Sequence, residues 1–235
     1  MGSSPPPEGG VDALGIPAGC WSRIGHDLRG PIGPMRMAVQ MLRSGRGSAA
    51  ERQDALALLD RQIDRLLAEI DAVADLVRLR NAVPIVQLRQ ADLNLVLDPV
   101  AGRASLLRCL AERDQTLACV PAELDLQADY DASRLCTLLD FLVRKAAGHS
   151  APRARLQLAL RETPGGAEFS ITGFDATLLA DPELAWLLGE AVVDPDALGA
   201  RPILLREVVR QSAATLSADS ACISLSMLLA ARTHA

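Results

Sequence analysis

The sequence predicts an α+β protein: a helical hairpin that forms a dimeric four-helix bundle, followed by an α/β sandwich. Three observations lead there. Between residues 24 and 77, apolar side chains recur at alternating steps of three and four, the sign of amphipathic helices. A break at Ser44-Gly45-Arg46-Gly47 divides that stretch in two. Beyond residue 84, short alternating apolar runs mix with helical patterns, the layout of a sheet with helices on one face.

Composition narrows the function classes. Of 235 residues 49% are hydrophobic but only 3% aromatic, so the core must come from Leu, Val, Ile and Ala. A net charge of −5 argues against nucleic acid as a partner. No apolar run approaches the roughly 20 residues that cross a bilayer, and residues 1–18 lack a signal-peptide pattern. The sequence therefore predicts a cytoplasmic chain with no membrane partner. Five cysteines (Cys20, Cys109, Cys119, Cys136, Cys222) lie far apart with no CxxC pair, which predicts buried reduced thiols and no metal.

Residues 1–18, rich in Gly, Pro and Ser, read as a disordered leader. The hairpin occupies residues 19–82. Its first helix carries Ile24, Leu28, Ile32, Met35, Val39 and Leu42. Ser48 and Glu51 form a capping box that opens the second, which carries Leu56, Leu59, Ile63, Leu66, Ile70, Val73 and Val77 and ends at Asn81 to Pro84. One hairpin cannot bury both seams. Coverage by a second copy across a two-fold axis is preferred over packing on the rest of the same chain.

Residues 84–235 form the sandwich. Pro84 to Leu88 and Ala91 to Leu97 read as extended, and Asp98-Pro99 opens a helix to about Arg113. Thr116 to Val120 reads as a strand, and Asp131 caps a helix to Gly148. Arg155–Arg161 and Glu168–Thr172 form a hairpin closed by Pro164-Gly165-Gly166. A short helix follows Asp181-Pro182, another spans about Pro202 to Ala213, and strands lie near 214–218 and 222–229.

The residues that carry chemistry are Ile24-Gly25-His26-Asp27-Leu28-Arg29-Gly30-Pro31-Ile32. At about 100° per residue His26 lies nearly opposite Met35, pointing away from the seam. An exposed imidazole on a rigid helix suits phosphoryl acceptance. Asp27 beside it can take the proton of one ring nitrogen, which fixes the tautomer and leaves the other nitrogen nucleophilic. Pro31 loosens the helix one turn on. A lone surface His beside an Asp is usually idle, so the whole string on an apolar heptad carries the argument.

That string resembles the H-box of bacterial sensor histidine kinases, a His-Glu/Asp-Leu-Arg-x-Pro-Leu run. The resemblance covers residues 19–82 and implies His26 as phosphoryl acceptor and Asp27 as the group that orients it and serves as acid/base. In the family the residue four after the His is usually Thr or Asn and positions a hydrolytic water; here it is Gly30. Residues 84–235 follow the layout of the kinase ATPase domain. Ala91-Asp92-Leu93 resembles its opening strand, 128–146 its N-box helix, 169–178 its first glycine box, and 204–215 the helix after the second. The nucleotide-holding residues are missing. Asp140, Arg144 and Lys145 stand near the N-box Asn. Gly173, Asp175 and Thr177 stand where Asp, Gly and Gly are needed, and Gly199 alone remains of the second glycine box.

The resemblance thus narrows to dimeric, kinase-derived histidine phosphotransferases that pass phosphate between receiver-domain aspartates through His26. It implies no cofactor of the chain's own, Mg²⁺ being supplied by the receiver. The implied partners are a second copy, response regulator receiver domains and a hybrid histidine kinase. Arg29, Gly33, Arg36 and Met37, on or near the His26 face, are the candidate receiver contacts. The alternatives are a pseudokinase that regulates by binding, with His26 a relic, and a highly divergent active kinase.

Overall fold

The computed structural model describes residues 20–45, 47–190 and 198–230. The leader at 1–18 therefore lies outside the described residues. Contacts divide the described residues into two units, the first built on those up to 83 with 198–204, the second on 84–190 with 205–230. Among the described residues no helix is long and apolar enough to cross a membrane.

The first unit is a helical hairpin. The sequence predicts one helix before the loop; the structure has two, α1 (Cys20–Arg29) and α2 (Ile32–Ser44). Gly30 and Pro31 form the turn between them, because Pro31 has no N–H for the helical ladder. Gly45, at φ 63°, ends α2. The capping box forms as predicted: Ser48 accepts from the Glu51 N–H and the Glu51 carboxylate from the Ser48 N–H, starting α3 (Ala49–Arg80). Small and branched side chains close the hairpin: Cys20, Ile24, Ala38, Ala55, Ala72, Leu76 and Leu79 are buried. Most of the heptad seam is not. Ile32, Val39, Leu56, Ile63, Ile70 and Val77 are all exposed.

The second unit is an α/β layer structure. Its five-stranded sheet has the order β2-β4-β5-β7-β6, from β2 (Thr116–Val120), β4 (Arg155–Thr163), β5 (Gly166–Thr172), β6 (Thr215–Ala218) and β7 (Cys222–Met227). Only β2 and β4 pair in parallel. Alternation turns Leu156, Leu158, Leu160, Phe169, Ile171, Ile223, Leu225 and Met227 onto the buried face. There they meet α6 (Ala132–Gly148), whose Leu135, Leu138, Leu139, Leu142, Val143 and Ala146 belong to the same core. The Asp131 carboxylate caps α6 through the Arg134 N–H. Gly166 closes the β4–β5 turn at φ 144°, where a Cβ would fall 2.1 Å from the Met227 carbonyl oxygen.

Four local expectations change. Ala91–Leu97 is not extended throughout: β1 (Arg89–Asp92) gives way to a 3₁₀ turn at Leu93–Val96, because the Asp92 carboxylate accepts from the Asn94 and Leu126 N–H groups. The helix expected from Asp98 to Arg113 is two, α4 (Leu97–Ala101) and α5 (Ala104–Ala111), interrupted at Gly102. Asp98 lies inside α4 rather than capping it. An additional strand, β3 (Gln127–Tyr130), pairs with β1. Of the cysteines only Cys20 and Cys136 are buried; the other three are half-buried thiols.

Candidate functional site

His26 sits in the last turn of α1 with its side chain 75% exposed. Its Nδ1 lies 3.2 Å from Asp27 Oδ1, so in the tautomer that donates to the carboxylate Nε2 is bare and faces solvent. The other carboxylate oxygen, Oδ2, accepts from Arg23 Nε at 3.2 Å, one helical turn back. The Gly30 N–H still donates to the His26 carbonyl, and the ladder resumes only with Met35 to Pro31. Because α1 and α2 are separate, the angle between His26 and Met35 read from a continuous helix does not apply. The exposure of His26 does not depend on it.

Arg29, Gly33, Arg36 and Met37 are all exposed, Met37 at 71%. Arg36 has a second attachment. It lines a groove of about 650 Å³ between α2 and α3 together with Ile32, Met35, Val39, Leu59 and Leu66. Arg36 therefore borders the apolar seam, whereas Arg29, Gly33 and Met37 do not line that groove.

In the second unit, polar side chains along α6 are engaged internally. Asp140 is buried and pairs with Arg144 at 2.9 Å and Arg103 at 3.6 Å. Arg144 also donates to the Ser105 carbonyl and hydroxyl. Lys145 Nζ lies 2.9 Å from Asp181 Oδ2 and 2.5 Å from Glu183 Oε2. Asp181 also caps α7 (Pro182–Leu187), accepting from the Glu183 and Leu184 N–H groups. His149 reaches Asp181 with Nε2 at 3.4 Å, and its carbonyl accepts from the Asp175 N–H. Thr177 Oγ1 stands 3.4 Å from His149 Nδ1. Leu178, Leu184 and Leu187 pack under these groups in the core. Gly173 has φ 93°, and a Cβ there would come within 2.3 Å of the Arg155 carbonyl oxygen.

Residues 20–82 match the family described as the His Kinase A (phospho-acceptor) domain. The fold extends the likeness over the second unit. Histidine kinase AdeS of Acinetobacter baumannii superposes with a TM-score of 0.57 at 13% identity, over 87% of this chain and 98% of that one. Over its described length the chain therefore has a histidine-kinase-like fold. Full-length ShkA, solved in complex with AMPPNP, gives a TM-score of 0.52 at 22% identity over 89% of this chain, which matches 45% of that chain. At these identities the two structures speak for the fold.

The structure shows what surrounds the residues that the resemblance compares with the N-box and first glycine box. Asp140 and Arg144 bond to each other and Arg144 to Ser105 of α5, Lys145 bonds to Asp181 and Glu183 at the start of α7, and Gly173 has no room for a side chain. The sequence reading missed Arg23, His149, Asp181 and Glu183. Arg23 has a detectable signal, its i, i+4 spacing to Asp27. The other three come together only through the fold around α6, and no local pattern announces that.

Proposed function

We propose that this chain is a histidine phosphotransferase of a phosphorelay, working as a homodimer without ATP. The observation that carries the reading is Gly173. The position matched to the adenine-reading Asp cannot hold a side chain without moving the β4 backbone, while His26 keeps its exposure and its carboxylate partner. Such a chain needs an outside phosphoryl donor. In the proposed reaction the bare Nε2 of His26 attacks the phosphorus of a receiver's aspartyl phosphate in line. The N–P bond forms as the P–O bond breaks, and the electron pair leaves with the receiver carboxylate. The Nδ1 proton stays hydrogen-bonded to Asp27, which stabilises the charge on the ring. Mg²⁺ would come with the receiver, and the reverse step loads a second receiver.

The exposed apolar residues of the hairpin support the dimer, since a second copy would cover Ile32, Val39, Ile63 and Ile70. The test is incubation of the purified chain with phosphorylated receivers from its own genome. Label on His26, lost in His26→Ala, is expected. Label from ATP alone would return the chain to the active kinases, and no label from any receiver would leave a binding-only pseudokinase.

A further inference from the structure

Asp27 is the least exposed member of a three-residue row. Its side chain is 16% exposed, against 47% for Arg23 and 75% for His26. Each carboxylate oxygen has its own partner: Oδ2 accepts from Arg23 Nε and Oδ1 faces His26 Nδ1, both at 3.2 Å. The two contacts arise from different geometry. Arg23 and Asp27 are one turn apart on the same face of α1, whereas His26 and Asp27 are chain neighbours whose side chains must turn toward each other. A carboxylate held only by its neighbour can rotate away; one anchored at its second oxygen keeps the first aimed at the ring.

We infer that Arg23 is a positioning residue for phosphoryl transfer, acting through Asp27 to keep His26 in the tautomer with a proton on Nδ1 and a bare Nε2. This deepens the proposed function and rests on His26 being the acceptor. The ring has two neutral tautomers, and the hydrogen bond made by one nitrogen decides which is present. Without Arg23, Asp27 loses its anchor, the Nδ1–H loses a fixed acceptor, and the Nε2–H form gains population. That form presents no lone pair to a phosphorus approaching from solvent. Arg23 Nε donates to the Asp27 carboxylate and not to the ring, so its effect reaches the reaction through that carboxylate.

The test uses the full chain, ¹⁵N-labelled, at a pH where imidazole is neutral. Long-range ¹H–¹⁵N spectra identify the tautomer of His26, one of three histidines in the chain, with His26→Gln assigning the signal. The wild type is expected as the Nδ1–H form, Arg23→Ala as a mixture with raised Nε2–H, and Arg23→Lys as a partial return, because an ammonium still reaches Asp27. Turnover from a phosphorylated receiver should fall on the order of tenfold in Arg23→Ala, as for other residues that orient a reacting ligand. The half-saturating receiver concentration should be unchanged. A wild-type tautomer in Arg23→Ala would overturn the inference. So would a loss confined to receiver affinity, which would make Arg23 a docking contact. If the wild type accepts phosphate from no receiver, the proposed function falls, and the tautomer spectra still decide the role of Arg23.

Discussion

The Lys145 ammonium lies 2.9 Å from the Asp181 carboxylate, and that carboxylate also caps α7. One carboxylate therefore ties α6 to the start of α7. Burial by itself pushes the Asp181 carboxyl up, but hydrogen bonds from Lys145 and from the Leu184 and Glu183 N–H groups hold it below its usual range. Burial likewise pulls Lys145 down, and bonding to Glu183 and Asp181 more than offsets it, leaving the ammonium raised.

Lys145→Met should destabilise the second unit by about 2 kcal/mol, since it strands a mostly buried carboxylate. The sign of the pH dependence follows from the depressed Asp181. Its contribution is present above the unfolded value of about 3.9 and disappears as pH falls through the lower folded value. Urea melts of wild type and Lys145→Met should differ by a constant amount from neutral pH down to about 4, then converge below it. A difference that persists at pH 2 would show that packing of Lys145 over the Phe141 ring carries the effect.

ATP should not bind. Titration calorimetry with ATP and Mg²⁺ should give no heat beyond dilution. Restoring the family residue should not help: Gly173→Asp forces a Cβ against the Arg155 carbonyl oxygen and should cost about 2 kcal/mol or more from the left-handed backbone alone. A micromolar dissociation constant for the wild type would overturn the reading of the pocket.

What could be read in the sequence divides along physical lines. Local rules were enough for the capping box at Ser48 and Glu51, the Asp131 cap and the turn at Gly165-Gly166, because each involves residues a few positions apart. His26 is exposed as expected, but the continuous helix from which that was read is broken at Gly30 and Pro31. The Gly102 interruption was missed because Asp98-Pro99 makes a strong start signal and one Gly a weak stop. β3 was missed because Asp129 and Asp131 disguise the alternation of Leu126, Ala128 and Tyr130, all buried. The Lys145–Asp181–Glu183 cluster was not legible, since Lys145 lies 36 residues before Asp181 in the chain and meets it and Glu183 only once the sheet forms.

The chain should be a dimer through the hairpin. Ile63→Asp with Leu66→Asp puts charge on the seam, where Leu66 lines the groove and Ile63 is 42% exposed. Light scattering at micromolar concentration should report twice the chain mass for the wild type and the chain mass, or unfolded material, for the variant. A monomeric wild type would discard the four-helix bundle.

The four candidate receiver contacts should separate in experiment. Arg29→Glu and Met37→Glu alter exposed residues outside the groove and should slow transfer about tenfold with the dimer intact. Arg36→Glu lies on the groove and should weaken both transfer and self-association. Gly33→Ala adds a Cβ with nothing within 4 Å, so only contact with a partner would register it. Unchanged transfer rates across all four would remove this surface from the account.

The last expectation concerns hydrolysis. In the resembled family, a Thr or Asn side chain four residues after the His holds the water that dephosphorylates a receiver; Gly30 has none to offer. The position is not closed to one. A Cβ on Gly30 would meet the Asp27 and His26 carbonyl oxygens at 3.5 and 3.8 Å, ordinary contact distances. Gly30→Ala should therefore fold normally and gain about 0.5 kcal/mol by restricting the unfolded chain. With that control in hand, Gly30→Asn tests the chemistry. Placed in His26→Ala, where transfer is blocked, the wild-type Gly30 should leave the lifetime of a phosphorylated receiver nearly unchanged. Gly30→Asn in the same background should shorten it by orienting a water toward the aspartyl phosphate, and Gly30→Ala should not. A strong shortening by the His26→Ala chain that still carries Gly30 would mean that another group activates the water, and the absence of a side chain at position 30 would then have no bearing on how long the phosphate survives.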